Sequence, residues 1–186
     1  MKTMIGTFSI DDFCADYTER VDASRAARYR DVSSGVHMTR MALTDGAWAA
    51  ERIGRILGVK LAIMVSYFRQ YTRGLDEFTF VHSDEAVSDL SAVLSLAREV
   101  EWNGEFRTWR HKATGLESPR DMESREMLAL AGLDELKWDV VEAIEMIPNR
   151  CVIYPARLFH SRWPRIWDHP WPRQVEVFFF NIKGGT

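Results

Sequence analysis

The apolar residues of this chain fall at helical spacing near its start and at strand spacing, alternating or continuous, through most of its second half. Thr3 to Phe13 reads as a short strand and turn. Asp16 can cap a helix running to about Tyr29, with Tyr17, Val21 and Ala27 on its buried side. Asp31 to Thr44 is polar and contains Gly35, which predicts a loop or an irregular edge strand. Thr44 or Asp45 then opens a second helix, DGAWAAERIGRILG, which turns Trp48, Ile53, Ile56 and Leu57 inward and stops at Gly58.

Beyond Gly58 the period shortens. Val59 to Tyr71 is rich in strand-forming residues, Thr72-Arg73-Gly74 turns the chain, and Phe78 to Val81 leads into His82-Ser83-Asp84. Leu90 to Leu96 and Glu105 to His111 are further strand candidates. Residues 114–137 are charged and helical, with a short apolar face of Met122, Met127, Leu128 and Leu130. This insertion either packs outside the sheet or forms a lid over an open pocket. VVEAIEMI, Pro148-Asn149 and RCVIYP predict the two strands and the turn of a hairpin. A loop from Ser161 to Pro172 holds Trp163, Trp167 and Trp171, and Gln174 to Ile182 forms the last strand. Helices first and strands afterwards predict one α+β domain over residues 1–186, built on an antiparallel sheet or barrel.

Composition narrows the function more than the fold. An apolar fraction of 46% with 12% aromatic residues argues for a packed core, and seven Trp with ten Phe supply large, rigid walls. A net charge of -3 without a long Lys/Arg block gives no footprint for duplex nucleic acid or anionic lipid, although Arg157, Arg162 and Arg165 can form a local basic patch. Cys14 and Cys151 lack metal-site spacing and do not make a disulfide framework, which fits a reducing, cytoplasmic setting. The first residues lack the pattern of a signal peptide, and no run approaches about 18 apolar residues, so no membrane span is expected. The oligomeric state is left open.

The candidate chemistry centres on FRQYTRGLDEFTFVHSD, Phe68 to Asp84. If Thr79 to Asp84 is extended, the period of two puts His82 and Asp84 on one face. His160 in YPARLFHS completes two histidines and a carboxylate, the set associated with non-haem Fe(II). Arg173 opens the last apolar run and could hold a dicarboxylate by a two-pronged bond, which points to 2-oxoglutarate. His-x-Asp alone is weak, because such a pair arises by chance in roughly half of chains of this composition. Tyr71 reads as a packing tyrosine or a co-substrate hydroxyl, and His111 as an edge histidine or a group at the pocket mouth. The three tryptophans read as packing or as a substrate clamp, and His37 and His169 as surface residues. Neither a nucleophile elbow nor a Gly-rich phosphate loop is present.

The ordered series of segments resembles the Fe(II)/2-oxoglutarate-dependent dioxygenase superfamily, in particular its prolyl-4-hydroxylase-like branch with small bacterial and phage relatives. IDDF resembles the opening strand, FRQYTRG the strand before the metal motif, and VHSD that motif. GEFRTWRHKATGLE resembles the central segment, IPNRCVIYPARLFHS the strand of the distal histidine, and RQVEVFFFN the strand of the co-substrate arginine. The resemblance implies a double-stranded β-helix (jelly-roll, cupin-like) core, with N-terminal helices packed on the major sheet and a helical insertion. It also implies Fe(II) on His82, Asp84 and His160, the distal carboxylate of 2-oxoglutarate on Arg173, and a hydroxyl from Tyr71. The span from His160 to Arg173 exceeds the pattern by a few residues, which makes Arg162 and Arg165 substitutes for the arginine.

The implied reaction uses O2, converts 2-oxoglutarate to succinate and CO2, and hydroxylates a C–H bond of an amino-acid, peptide or protein side chain. A carboxylate at Asp84 favours hydroxylation, since related halogenases carry a small residue there. Two rival readings remain at this level: a non-catalytic jelly-roll binding protein with a relic or zinc site, and a nucleobase oxidase or demethylase of the same chemistry.

Overall fold

The computed structural model describes residues 6–34, 37–74 and 80–183. The start of the Thr3–Phe13 element and the Phe78–Thr79 part of the approach to His82 lie outside them. In chain order the elements are β1 (Phe8–Ile10), α1 (Tyr17–Ala26), β2 (Arg30–Ser34), β3 (His37–Leu43), α2 (Ala47–Leu57) and β4 (Lys60–Tyr71). Then come β5 (Leu90–Ser95), β6 (Glu105–His111), α3 (Met122–Ala131), a 3-10 turn (Glu135–Lys137) and β7 (Trp138–Glu145). β8 (Cys151–Pro155), β9 (His160–Trp163) and β10 (Arg173–Lys183) complete the chain.

Two antiparallel sheets form the α+β jelly roll. The larger has the order β1-β8-β5-β10-β4-β3-β2 and the smaller β7-β6-β9. β10 lies between β4 and β5, and its run of Val and Phe suits a strand covered on both faces. Alternation divides it. Phe178 and Phe180 join Val21 of α1 and Ala49 and Ile53 of α2 in one core, so both N-terminal helices pack on the larger sheet. Val175, Val177 and Phe179 face the other way and meet Phe106 of the smaller sheet. The functional pocket lies in this second interior.

Several local expectations shift. Of the two readings of Asp31 to Thr44 the edge strand holds: β2 and β3 pair antiparallel and extend the sheet beyond β4. Edge strands are held by backbone pairing and need little apolar alternation, so the polar sequence left loop and edge strand undivided. Asp16 stands at the start of α1, yet its carboxylate takes the Cys14 thiol at 2.9 Å and makes no capping bond, and the helix ends at Ala26. Gly46 is the N-cap of α2, with Asp45 accepting from the Ala47 amide. Gly58 ends that helix in the left-handed region at φ 67°. Ile56 points outward, 49% exposed. The expected hairpin between VVEAIEMI and RCVIYP does not form, because β7 pairs with β6 and β8 pairs with β1 and β5. The turn at Pro148-Asn149 carries the chain from one sheet to the other.

The insertion packs on the outer side of the smaller sheet. A reciprocal cap between Asp121 and Ser124 starts α3, and Leu128 and Ala131 bury against Phe80, Val81, Trp109, Trp138 and Phe159. Met122 and Leu130 of the expected apolar face are exposed, and the Met127 side chain lies outside the described residues. Gly132 lies so close that a Cβ there would sit 2.1 Å from the Val81 carbonyl oxygen, and its own carbonyl accepts from the Val81 amide at 3.2 Å. The insertion thereby braces the segment entering His82. Leu128→Ala is expected to cost about 2–5 kcal/mol, read as a lower denaturant midpoint. A midpoint equal to wild type would show that α3 contributes nothing to this brace.

Candidate metal centre

His82, Asp84 and His160 converge, with one ligand atom from each lying within 4.8 Å of the others. The backbone arranges this. His82 and His160 pair as a single antiparallel bridge, exchanging N–H to O bonds of 3.1 and 2.9 Å, and the Asp84 amide donates to Ala156 O at 2.7 Å. His82 thus pairs with the first residue of β9, and Asp84 reaches the same site two residues on. The expectation of an extended run holds here only as this bridge.

Both rings are oriented by main-chain carbonyls. His82 Nδ1 lies 3.2 Å from Phe80 O, and His160 Nδ1 lies 2.8 Å from Leu158 O. Each Nδ1–H therefore donates outward, and each Nε2 lone pair faces the cluster. Asp84 Oδ2 is 3.1 Å from His160 Nε2, and Oδ1 is 3.7 Å from His82 Nε2. Electron-rich atoms gathered this closely favour a shared cation. The donor set of two imidazoles and a carboxylate, with each Nδ1 engaged by a carbonyl and each Nε2 left for a metal, fits a divalent ion of the Fe(II) type. Burial pushes the Asp84 carboxyl up, but the charged forms of the His160 and His82 rings, a hydrogen bond from His160 and the Arg69 charge outweigh it and hold the group down to about 2. Asp84 is an anion at neutral pH.

The cluster opens into a cavity lined by both sheets, with about 80 Å³ open to the centre of a water molecule. One buried water requires roughly 10–15 Å³ on that measure, so a small diacid can enter. Tyr67, Arg69 and Tyr71 of β4 line it, together with Arg173, Val175 and Val177 of β10. The register explains their company: Arg173 is opposite Tyr71, Val175 opposite Arg69 and Val177 opposite Tyr67. Arg173 is 3% exposed, and its Nε donates to Asn103 O at 2.7 Å. Its guanidinium carbon is 5.0 Å from the centre of the Tyr71 ring. Arg162 lies over the same ring at 4.5 Å and donates through Nη1 to Pro164 O. Arg165 lies elsewhere, donating to Leu133 O at 2.8 Å. Arg69 and Tyr154 also line the cavity without having been singled out in the sequence. The alternation Tyr67-x-Arg69-x-Tyr71 was the available signal for Arg69.

The remaining candidates do not line this cavity. His111 is buried at the outer face of the smaller sheet, with Nδ1 3.0 Å from the Thr114 hydroxyl oxygen and its ring edge-on to Trp138. Trp167 is fully buried and stacks on Trp102 at 5.8 Å, and its indole N–H donates to Trp171 O, as packing requires. His169, expected at the surface, is half-buried against Trp102, Trp167 and Trp171. His37 begins β3. Among the described residues, none of 114–137 lines the cavity, so the insertion is not a lid in this arrangement. No described helix is long and apolar enough to cross a membrane.

No protein-family model and no curated protein matches the sequence. Solved structures do match. A prolyl-4-hydroxylase from Pseudomonas putida superposes with a TM-score of 0.56 at 14% identity, covering 96% of this chain and 94% of its own. HygX from Streptomyces hygroscopicus, solved with nickel, 2-oxoglutarate and hygromycin B bound, gives 0.58 at 15% identity, covering 94% and 82%. The non-heme alpha-ketoglutarate-dependent epimerase SnoN from nogalamycin biosynthesis gives 0.59 at 14% identity, covering 94% and 76%. The chain therefore has the double-stranded β-helix fold of the Fe(II)/2-oxoglutarate oxygenases.

Proposed function

We propose that this protein is an Fe(II)- and 2-oxoglutarate-dependent oxygenase that hydroxylates a C–H bond of an amino-acid, peptide or protein side chain, releasing succinate and CO2. The observation that carries this is the cluster itself: three ligand atoms within 4.8 Å, each histidine oriented by a backbone carbonyl, beside a cavity that also contains Arg173. His82, Asp84 and His160 would hold the iron, which supplies the O2-dependent oxidation of the co-substrate and then of the substrate. Arg173 would take the distal carboxylate of 2-oxoglutarate, because its Nε bond to Asn103 sets the plane of the guanidinium while Tyr71 supports one side. Arg162, which lies over the same ring and donates through Nη1 to Pro164 O, is the alternative anchor. Val175, Val177, Phe179 and Phe106 give the cavity apolar walls that limit water around the reacting groups.

The prolyl-4-hydroxylase neighbour, nearly all of which this chain spans, supports an amino-acid or peptide substrate, whereas HygX supports a small molecule. The epimerase is an example of another outcome on this fold, and the Asp84 carboxylate favours hydroxylation over halogenation only.

Anaerobic titration of the protein with Fe(II) and 2-oxoglutarate should produce a weak visible metal-to-ligand band, and admitting air should produce succinate. Absence of both would favour a binding protein without turnover. Arg173→Ala should weaken 2-oxoglutarate binding about 10- to 100-fold, as expected for loss of hydrogen bonds to a charged group. A larger loss in Arg162→Ala would move the anchor there.

A further inference from the structure

β8 brings a further polar side chain to the ligand cluster. Its residues alternate, so Cys151 and Ile153 join the core under the helices while Val152 and Tyr154 face the second interior, where Tyr154 lines the cavity. Tyr154 is 1% exposed, and its ring lies 4.6 Å from Phe106 and 4.5 Å from His160 between centroids. Its hydroxyl oxygen is 3.2 Å from His160 Nε2.

That contact changes when a metal is bound. His160 Nδ1 donates to Leu158 O, so in the neutral ring, the form that binds a metal, Nε2 accepts and the Tyr154 hydroxyl donates to it. A metal on Nε2 takes the lone pair that this hydrogen bond uses. The buried hydroxyl must then donate elsewhere, to the Ser91 side chain opposite it or to a ligand in the cavity, because an unmade bond at such a site is costly. The cavity is small, about 80 Å³ on the measure above, and Tyr154 and Arg173 both line it. A five-carbon diacid held between the cluster and Arg173 would share this cavity with the Tyr154 hydroxyl. Resting on the Fe(II) and 2-oxoglutarate reading, we infer that Tyr154 donates a hydrogen bond to an oxygen of the metal-bound co-substrate, and so binds co-substrate in addition to packing.

Tyr154→Phe removes one oxygen and keeps the ring contacts, so the thermal midpoint should be retained. Co(II) alone should bind the variant as tightly as wild type or more tightly, because the hydroxyl no longer competes for Nε2. With anaerobic Fe(II), 2-oxoglutarate should bind about 10- to 100-fold more weakly, and the visible band of the complex should move in energy. A purely structural tyrosine would not separate these two affinities. Unchanged 2-oxoglutarate affinity with an unmoved band would overturn the assignment. So would weaker binding of Co(II) alone, which would make Tyr154 an orienting partner of His160. If wild type itself gives no band, the iron reading falls and this assignment with it; a band in wild type that is unmoved in the variant rejects the role of Tyr154 alone.

Discussion

Replacing His160 by alanine is expected to abolish Fe(II)-dependent succinate formation, by more than about 10³-fold, while the protein remains folded. Outer partners of metal ligands typically matter about 10- to 100-fold, and the loss of a ligand itself exceeds that. The backbone bridge between His82 and His160 does not need the imidazole, so the approach of Asp84 should survive the change. Metal analysis after dialysis and a succinate assay check this, with far-ultraviolet circular dichroism as the folding control. His82→Ala and Asp84→Ala should behave alike. Wild-type metal content and turnover in any one of the three variants would remove that residue from the ligand set.

The second large effect is expected far from the ligands, at Gly104. Its φ is +76°, and a Cβ there would sit 2.3 Å from Trp163 O. Gly104→Ala should therefore cost about 2–4 kcal/mol, combining left-handed strain with a backbone clash that no rotamer can relieve. The consequence reaches the cavity, because the neighbouring Asn103 carbonyl accepts from Arg173 Nε and the Asn103 side chain donates to Gln174 O at 2.9 Å. The variant should show both a lower denaturation midpoint and weaker 2-oxoglutarate binding. A stability loss with co-substrate affinity unchanged would show that Asn103 does not set the Arg173 plane.

Much of the site was legible because its parts repeat at short range. His82 and Asp84 are two residues apart, though a single bridge to His160 rather than a strand brings them together, and Arg173 starts a strand in which Val175 and Val177 follow on the same face by alternation. The α2 core positions and the Gly58 stop follow from helical period and left-handed backbone in the same way. Choosing between Arg162, Arg165 and Arg173 was not a local question. Arg165 left the set only because the loop after β9 carries it to Leu133 O, while Arg162 and Arg173 come from different sheets to one tyrosine ring.

Pairing across the chain decided the rest. Nothing in VVEAIEMI or RCVIYP shows that they part company at Pro148-Asn149, since a turn signal specifies a bend and leaves the partner of each strand open. The polar β2–β3 hairpin is held by backbone bonds to which side-chain pattern is blind. Tyr154 reaches His160 Nε2 because β8 lies in the larger sheet and β9 in the smaller one. The sequence by itself determined which residues share a face and which ligand chemistry is present, because both depend on neighbours a few positions away. Which faces meet, and hence that Arg69, Tyr71, Tyr154 and Arg173 enclose the ligands, was decided only by long-range strand pairing.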